Sequence, residues 1–194
     1  MEMLAQQNRV LAGQTFSKDE RITAKGKHVL VIGGGDTGSD CIGTSNRQGA
    51  ASVTQIEIMP KPPVGYNPAT PWPQWPIVLK TSSSHEEGCI RRWSLNSNKF
   101  IGKNGHVCGV EVEEVEWIPA AEGSRPTMKP TGKKEILKAD LVLLAMGFLK
   151  QQLPEFPKNV FVAGDAATGA SLVVKCIAGG RKAAADIDNY LKSL

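Results

Sequence analysis

The 194-residue sequence is short of several things, and each shortage removes a class of chemistry. Its four cysteines, Cys41, Cys89, Cys108 and Cys176, lie far apart and form no C-x-x-C pair, so this stretch offers no zinc or iron–sulfur ligand set. They read as reduced, partly buried thiols of a cytoplasmic protein. No run approaches the ~18 apolar residues of a membrane span, and the N-terminus lacks the apolar core of a signal peptide. The expectation is no membrane. Basic residues (23) barely outnumber acidic ones (19) and are scattered, which gives no footprint for nucleic acid. No Tyr-x-x-x-Lys pair exists around Tyr66 or Tyr190. His85-Glu86 opens like a zinc-protease motif, but Cys89 stands where its second histidine belongs.

What is present centres on His28 to Gly38. Val29 to Ile32 form an unbroken apolar run, the mark of a parallel strand covered on both faces. It leads into Gly33, Gly35 and Gly38, spaced G-x-G-x-x-G, and then into a helix over 36–48. The first glycine suits a tight turn, the second a close approach of backbone to a pyrophosphate, the third close packing of helix on strand. Gly33, Gly34, Gly35, Asp36, Thr37 and Gly38 are therefore candidate dinucleotide ligands, with the helix N-terminus facing the phosphates. The alternative is a glycine-rich turn of an unrelated α/β fold.

Gly49 ends that helix, and a second strand over Val53 to Ile58 completes βαβ in about thirty residues. Glu57, 19 residues beyond Gly38, stands near where an acid accepts bonds from an adenine ribose. Lys61 follows closely, and Arg91 or Arg92 could reach a 2′-phosphate, so NADH and NADPH both stay open. Glu57 can also be an ordinary charge at a strand end.

Elsewhere the reading is coarser. Met1 to Gln7 could form one or two helical turns with Met1, Leu4 and Ala5 on one face; residues 8–24 read as a connector. Seven prolines in 60–80, with Trp72 and Trp75, exclude helix and central strand, leaving a stiff loop pinned by its tryptophans. That loop is either functional or a packing clasp. Thr81 to Cys89 reads as a serine-rich turn or helix cap. A β meander follows over 91–100 and 107–118, joined by an Asn104-Gly105 turn, with a loop at Thr127 to Gly132 and a returning strand at Lys134 to Lys138. Asp140 to Gly147 is a further buried strand, near whose Gly147 a nucleotide could pass. Asn159 to Asp165 is a short strand closing on Gly164-Asp165. Residues 171–191 form a helix with Leu172, Val173, Cys176, Ile177, Ala184, Ile187 and Leu191 on one stripe.

Taken together, Gly33 to Thr44, Pro71 to Pro76, Thr81 to Gly88, Ala139 to Leu149, Phe161 to Asp165 and Ser171 to Val174 resemble the glutamate synthase small (β) subunit. The resemblance covers most of the sequence. It implies an α/β fold, a Rossmann-like three-layer dinucleotide-binding domain with a β meander, of the two-dinucleotide-domain flavoprotein reductase type. It implies hydride transfer from NADPH or NADH to FAD, with electrons passed to a glutamate synthase large subunit that forms glutamate. It divides the chain into a connector at 1–24 belonging to the FAD domain, an NAD(P)H-binding domain at 25–149, and the C-terminal part of the FAD domain at 150–194. Gly164 and Asp165 would face the flavin's ribityl and phosphate, and a helix from Ser171, Leu172 and Val173 would point at the isoalloxazine. Iron–sulfur clusters belong to an N-terminal part that this sequence does not contain, as does the first FAD fingerprint. The connection from Leu149 to Phe156 is shorter than the family's. A second reading, of another class, is a non-catalytic nucleotide-binding or interaction module docking through the Pro/Trp segment.

Overall fold

A computed structural model describes residues 1–72, 77–119, 126–147 and 153–194, and the chain divides into two units, Met1–Met146 and Gly147–Leu194. The first unit begins with α1 (Glu2–Leu11), which runs four residues past the expected Gln7. Its glutamines explain the extension. The Gln6 side-chain oxygen accepts the Ile22 N–H at 2.7 Å and the Gln7 oxygen accepts from Arg21 at 2.8 Å, so the helix is tied to the segment that follows. The buried face is also different from the expected one: Met3 enters the core with Leu4 beside it, while Met1 is exposed.

Four parallel strands make the central sheet, in the order β3 (Ile90–Arg92), β2 (Ser52–Ile56), β1 (His28–Ile32), β7 (Leu141–Leu144). Between β1 and β2 runs α2 (Asp36–Arg47), and before β3 a single turn, α3 (Ser83–Glu86). The apolar run of β1 alternates between two cores. Val29 and Val31 meet Met3, Cys41, Ile42 and Val53 on the helix side. Leu30 and Ile32 meet Ile56, Leu95, Val110 and Val112 on the other. Each fully buried aliphatic side chain of this kind contributes about 1.5–3 kcal/mol.

The second of those layers is an antiparallel meander of β4 (Leu95–Lys103), β5 (His106–Ile118) and β6 (Thr127–Lys138). Asn104 and Gly105, at φ 52° and 79°, form the two-residue turn that the Asn-Gly pair demands. The loop expected over Thr127 to Gly132 is instead the first half of β6. Pro130 is accommodated because β6 is an edge strand, and Gly132, at φ 83°, absorbs a bulge opposite Glu114. The 91–100 strand is broken at Ser94, whose φ of 55° turns the chain from the parallel sheet into the meander.

The second unit contains α4 (Asp165–Thr168) and α5 (Val173–Lys192). The strand expected over Asn159 to Asp165 does not form, since no strand is described in this unit to ladder against it. The expected stripe of α5 is present in sequence but is exposed apart from a half-buried Cys176: no described residue of this unit is buried, and Val173 is 75% exposed. Among the described residues, no helix is long and apolar enough to cross a membrane.

Candidate nucleotide-binding site

Strand order places one crevice. The chain leaves β1 towards β2 on one side and comes back to β7 on the other, so the C-terminal ends of β1 and β7 flank the point where ligands bind in open parallel sheets. Gly33 lies there at φ 122°, and a Cβ on it would fall 2.1 Å from the Ala145 carbonyl oxygen. Only glycine lets the turn pass that close to β7. A Cβ on Gly38 would meet the Gly33 oxygen at 2.5 Å, which seats α2 against the turn. Around Gly35 there is nothing within 4 Å of a Cβ. Gly35 is also the N-cap of α2 and has no side chain to satisfy the helix's first N–H groups. Open space above unsatisfied donors at the positive end of a helix is what a diphosphate requires.

Gly34 has a reason that the spacing did not reveal. A Cβ there would come within 2.4 Å of the Glu57 carboxylate, which leans onto the turn and accepts the Met59 N–H at 3.3 Å. Glu57 lies just past β2, which ends at Ile56 rather than Ile58. Asp36 and Thr37 occupy the first turn of α2. Gly147, at φ 94°, has open space where a side chain would be.

Beside the turn lies a groove of about 270 Å³, lined by Gly34, Glu57, Met59, Lys80, Arg91 and Trp93 among others. Trp93 carries two cations: Lys61 Nζ stands 5.1 Å and the Arg91 guanidinium 5.2 Å from its ring centroid. Arg91 Nε is buried with no hydrogen-bond partner among the described residues. Arg92 is turned to the meander instead, where its paired nitrogens hold Glu135, one bond at 2.9 Å. That contact holds the Glu135 carboxyl below the usual carboxylate range.

The proline-rich segment contributes Pro60, Pro62, Ile77 and Leu79 to this groove. Trp72 does not pin it in the way expected. Trp72 is 91% exposed, and Trp75, with Pro73, Gln74 and Pro76, lies outside the described residues. Closure comes from bonds to backbone carbonyls, with the Leu79 N–H donating to that of Pro63 at 2.8 Å and the Asn67 side-chain amide to that of Ile77 at 2.7 Å. The 149–156 connection likewise falls outside the described residues up to 152.

Under the turn is a buried polar chain. Gln55, on β2, donates its amide to the Gly33 carbonyl at 2.9 Å, and its amide oxygen faces His85 Nε2 at 3.2 Å. His85 Nδ1 accepts the Ser82 N–H at 3.1 Å, and the Ser82 hydroxyl bonds to both that nitrogen and Ser39 on α2. Ser82 and His85 thus form the capping box of α3, as the cap reading of this stretch expects. Burial, with the Arg91 guanidinium nearby, pushes the His85 pKa below the usual imidazole value. Gln55 was missed in the sequence, although a glutamine between Val53 and Ile56 in a core strand was a signal.

In the second unit Asp165 accepts from the Ser171 N–H at 3.0 Å, the Ser171 hydroxyl at 3.2 Å and Cys176 Sγ at 3.0 Å. The Cys176 and Ser171 bonds hold its carboxyl below the usual range. The carboxylate ties the start of α5, with Leu172 as N-cap and Val173 its first residue, back to the Gly164 turn at φ 64°.

No family model matches the chain. A glutamate synthase [NADPH] small chain of Mycobacterium tuberculosis is 42% identical over 98% of this chain and 43% of its own length. A glutamate synthase [NADH] of Saccharomyces cerevisiae is 36% identical over 86% of this chain and 9% of its own length. Among solved structures, Mycobacterium tuberculosis FprA in complex with NADPH superposes with a TM-score of 0.63 at 14% identity, over 88% of this chain and 54% of that one. The fold is therefore the Rossmann-like α/β architecture of two-dinucleotide-domain flavoprotein reductases. Sequence homology along nearly its whole length places the chain in the glutamate synthase small-chain family, whose curated small-chain relatives it matches over less than half of their length.

Proposed function

We propose that this chain is the NAD(P)H-binding part of a flavin-dependent oxidoreductase, the small subunit of a glutamate synthase. The observation that carries the reading is the open space over Gly35 at the uncapped start of α2, in the crevice between β1 and β7. The residues fit a dinucleotide. The N–H groups of Gly35 to Gly38 would hold its diphosphate, and Glu57 would accept from a ribose hydroxyl. The groove with Lys61, Arg91 and Trp93 would take the adenosine end, and the two cations over Trp93 suit an anionic group there. A reduced nicotinamide bound in this way supplies a hydride, so the chain's own work is binding and orientation.

The rest of the activity belongs to the whole protein. Gly164, Asp165, Ser171, Leu172 and Val173 are proposed to face FAD, on a unit none of whose described residues is buried in this chain by itself. Residues 150–194 would complete a flavin domain with sequence outside this chain, residues 1–24 would be the connector from it although Met3 packs into the first unit, and 25–149 would be the NAD(P)H domain. Electrons would then pass to a large subunit that forms glutamate.

Titrating the chain with NADPH and with NADH while following nicotinamide fluorescence tests the core of this. Saturable binding of at least one is expected. Gly35→Val should abolish it without unfolding the protein, because the new side chain enters ligand space and not protein. A wild-type chain that binds neither nucleotide, or a variant that binds normally, overturns the assignment.

A further inference from the structure

We infer that neutral His85 is a positioning residue for the glycine turn, acting through the Gln55 amide on the Gly33 carbonyl. This rests on the nucleotide-binding reading above, and it gives the serine-rich segment before β3 a role in that site.

The directions of the hydrogen bonds carry the argument. A backbone N–H can only donate, so Ser82 N–H forces His85 Nδ1 to accept. A neutral ring then carries its proton on Nε2, which donates to Gln55 Oε1. With its oxygen so engaged, the Gln55 amide must present its NH2 group to the Gly33 oxygen. Gln55 is 2% exposed, so a reversed amide would set donor against donor and oxygen against oxygen with no water to relieve either. The Gly33 carbonyl belongs to the same short turn as the N–H groups proposed to face the diphosphate. Ser39, on α2, bonds Ser82 and closes the circuit onto the helix behind those groups.

Protonation undoes this arrangement. An imidazolium has two N–H donors, and the one on Nδ1 would face Ser82 N–H; only the Ser82 hydroxyl, at 2.8 Å, could still accept from it, so the backbone bond that seats the ring is lost. The groups around it do not favour the charged form. α2 brings Ser39 and Arg47, the latter paired to Glu87; β2 brings Gln55 and, past its end, Glu57; β3 brings Arg91, next to the thiol of Cys89 that burial keeps protonated. Glu86 lies on the same turn as the histidine. Of these charges, Arg91 acts on the ring, and it opposes protonation. Affinity should accordingly be complete at neutral pH and fall with a midpoint below the ordinary imidazole value of ~6.5.

The experiment compares the full chain with His85→Asn and His85→Gln by calorimetric titration of NADP⁺, which survives acid, between pH 5 and 8. The Asn oxygen takes the place of Nδ1 and keeps the cap but cannot reach Gln55. The Gln side chain reaches Gln55 and has no imidazole to protonate. Expected at pH 7.5 is about fivefold weaker binding for His85→Asn, as for a lost neutral hydrogen bond of about 1 kcal/mol, and near wild-type binding for His85→Gln. The wild type should lose affinity relative to His85→Gln as the pH falls, a comparison in which the nucleotide's own titration cancels. His85→Asn binding like wild type at pH 7.5, or a wild-type to Gln ratio constant with pH, would overturn the proposal. Nitrogen NMR of the unliganded chain gives a second decision. It should show the Nε2–H tautomer above pH 7, and the amides of Gly34 to Gly38 should titrate with the ring. An Nδ1–H tautomer, or turn amides indifferent to His85, would refute the link even in a chain that bound no nucleotide, whereas failure of nucleotide binding alone would remove only the functional reading.

Discussion

Two stretches of this chain carry nearly the same signal, and they end differently. Val29-Leu-Val-Ile-Gly and Val160-Phe-Val-Ala-Gly both run apolar into a glycine and then towards a helix. The first is a strand with a ladder on each side, against β2 and β7, and its side chains vanish into two cores. The second is not a strand, and Val160 is 44% exposed. An apolar run before a glycine specifies backbone that can ladder. Whether it does depends on partner strands supplied from elsewhere in the fold.

The sharpest way to test that contrast is at the glycines. Gly33→Ala should cost about 4 kcal/mol, adding strain at φ 122° to a collision with the Ala145 backbone, and urea denaturation of the first unit would show it. In the second unit Gly179→Ala, whose Cβ would meet the Gly164 nitrogen at 3.3 Å and its Cα at 3.9 Å, should cost far less. Next come the apolar stripes. Leu30→Ala should lower stability by about 2–5 kcal/mol, whereas Ile177→Ala, on the exposed stripe of α5, should stay within about 0.5 kcal/mol. Equal losses at both positions would mean that the stripe is covered and would erase the comparison.

Smaller effects concern two of the carboxylates with lowered pKa, one chosen from each unit. Glu135 is held down first by its hydrogen bonds from Arg92, so its contribution exists above the unfolded value near 4.5 and is lost as pH falls through the folded one. Both side chains are more than a third exposed, so Arg92→Ala should cost below about 1 kcal/mol, and the loss should shrink as the pH falls below the usual carboxylate range. Asp165 follows the same sign. Its bonds from Cys176 and Ser171 are present above the unfolded value near 3.8 and released in acid, which hydrogen exchange at the Ser171 amide should register as faster opening on acidification. No change in that amide would mean that the carboxylate does not tether the start of α5.

Much of the site could be read in advance, for a physical reason. The glycine turn is local: its three small residues, the strand before and the helix after lie within about twenty positions, and their chemistry is set by backbone sterics. The Asn104-Gly105 hairpin is legible for the same reason. What escaped depends on contacts across long separations. Gly34 is explained by Glu57, 23 positions on, and the Gly33 carbonyl by Gln55 and then by His85. Thr127 to Gly132 looked like a loop because its Pro and Gly were weighed without knowing that β6 is an edge strand with a bulge. Arg91 and Arg92 are neighbours with the same charge, yet alternation along β3 sends one to Trp93 and the other to Glu135.

By itself the sequence determined where the backbone turns tightly, which residues are apolar enough to be buried, and that amides at the end of β1 are free to meet an anion. Those are properties of neighbouring residues and need no partner. Only the tertiary structure decided which apolar runs became strands, which cation stands beside the glycine turn and which way the amide beneath that turn points. Such choices are made by hydrogen-bond ladders and buried polar contacts between distant segments, and they exist only once the chain has brought those segments together.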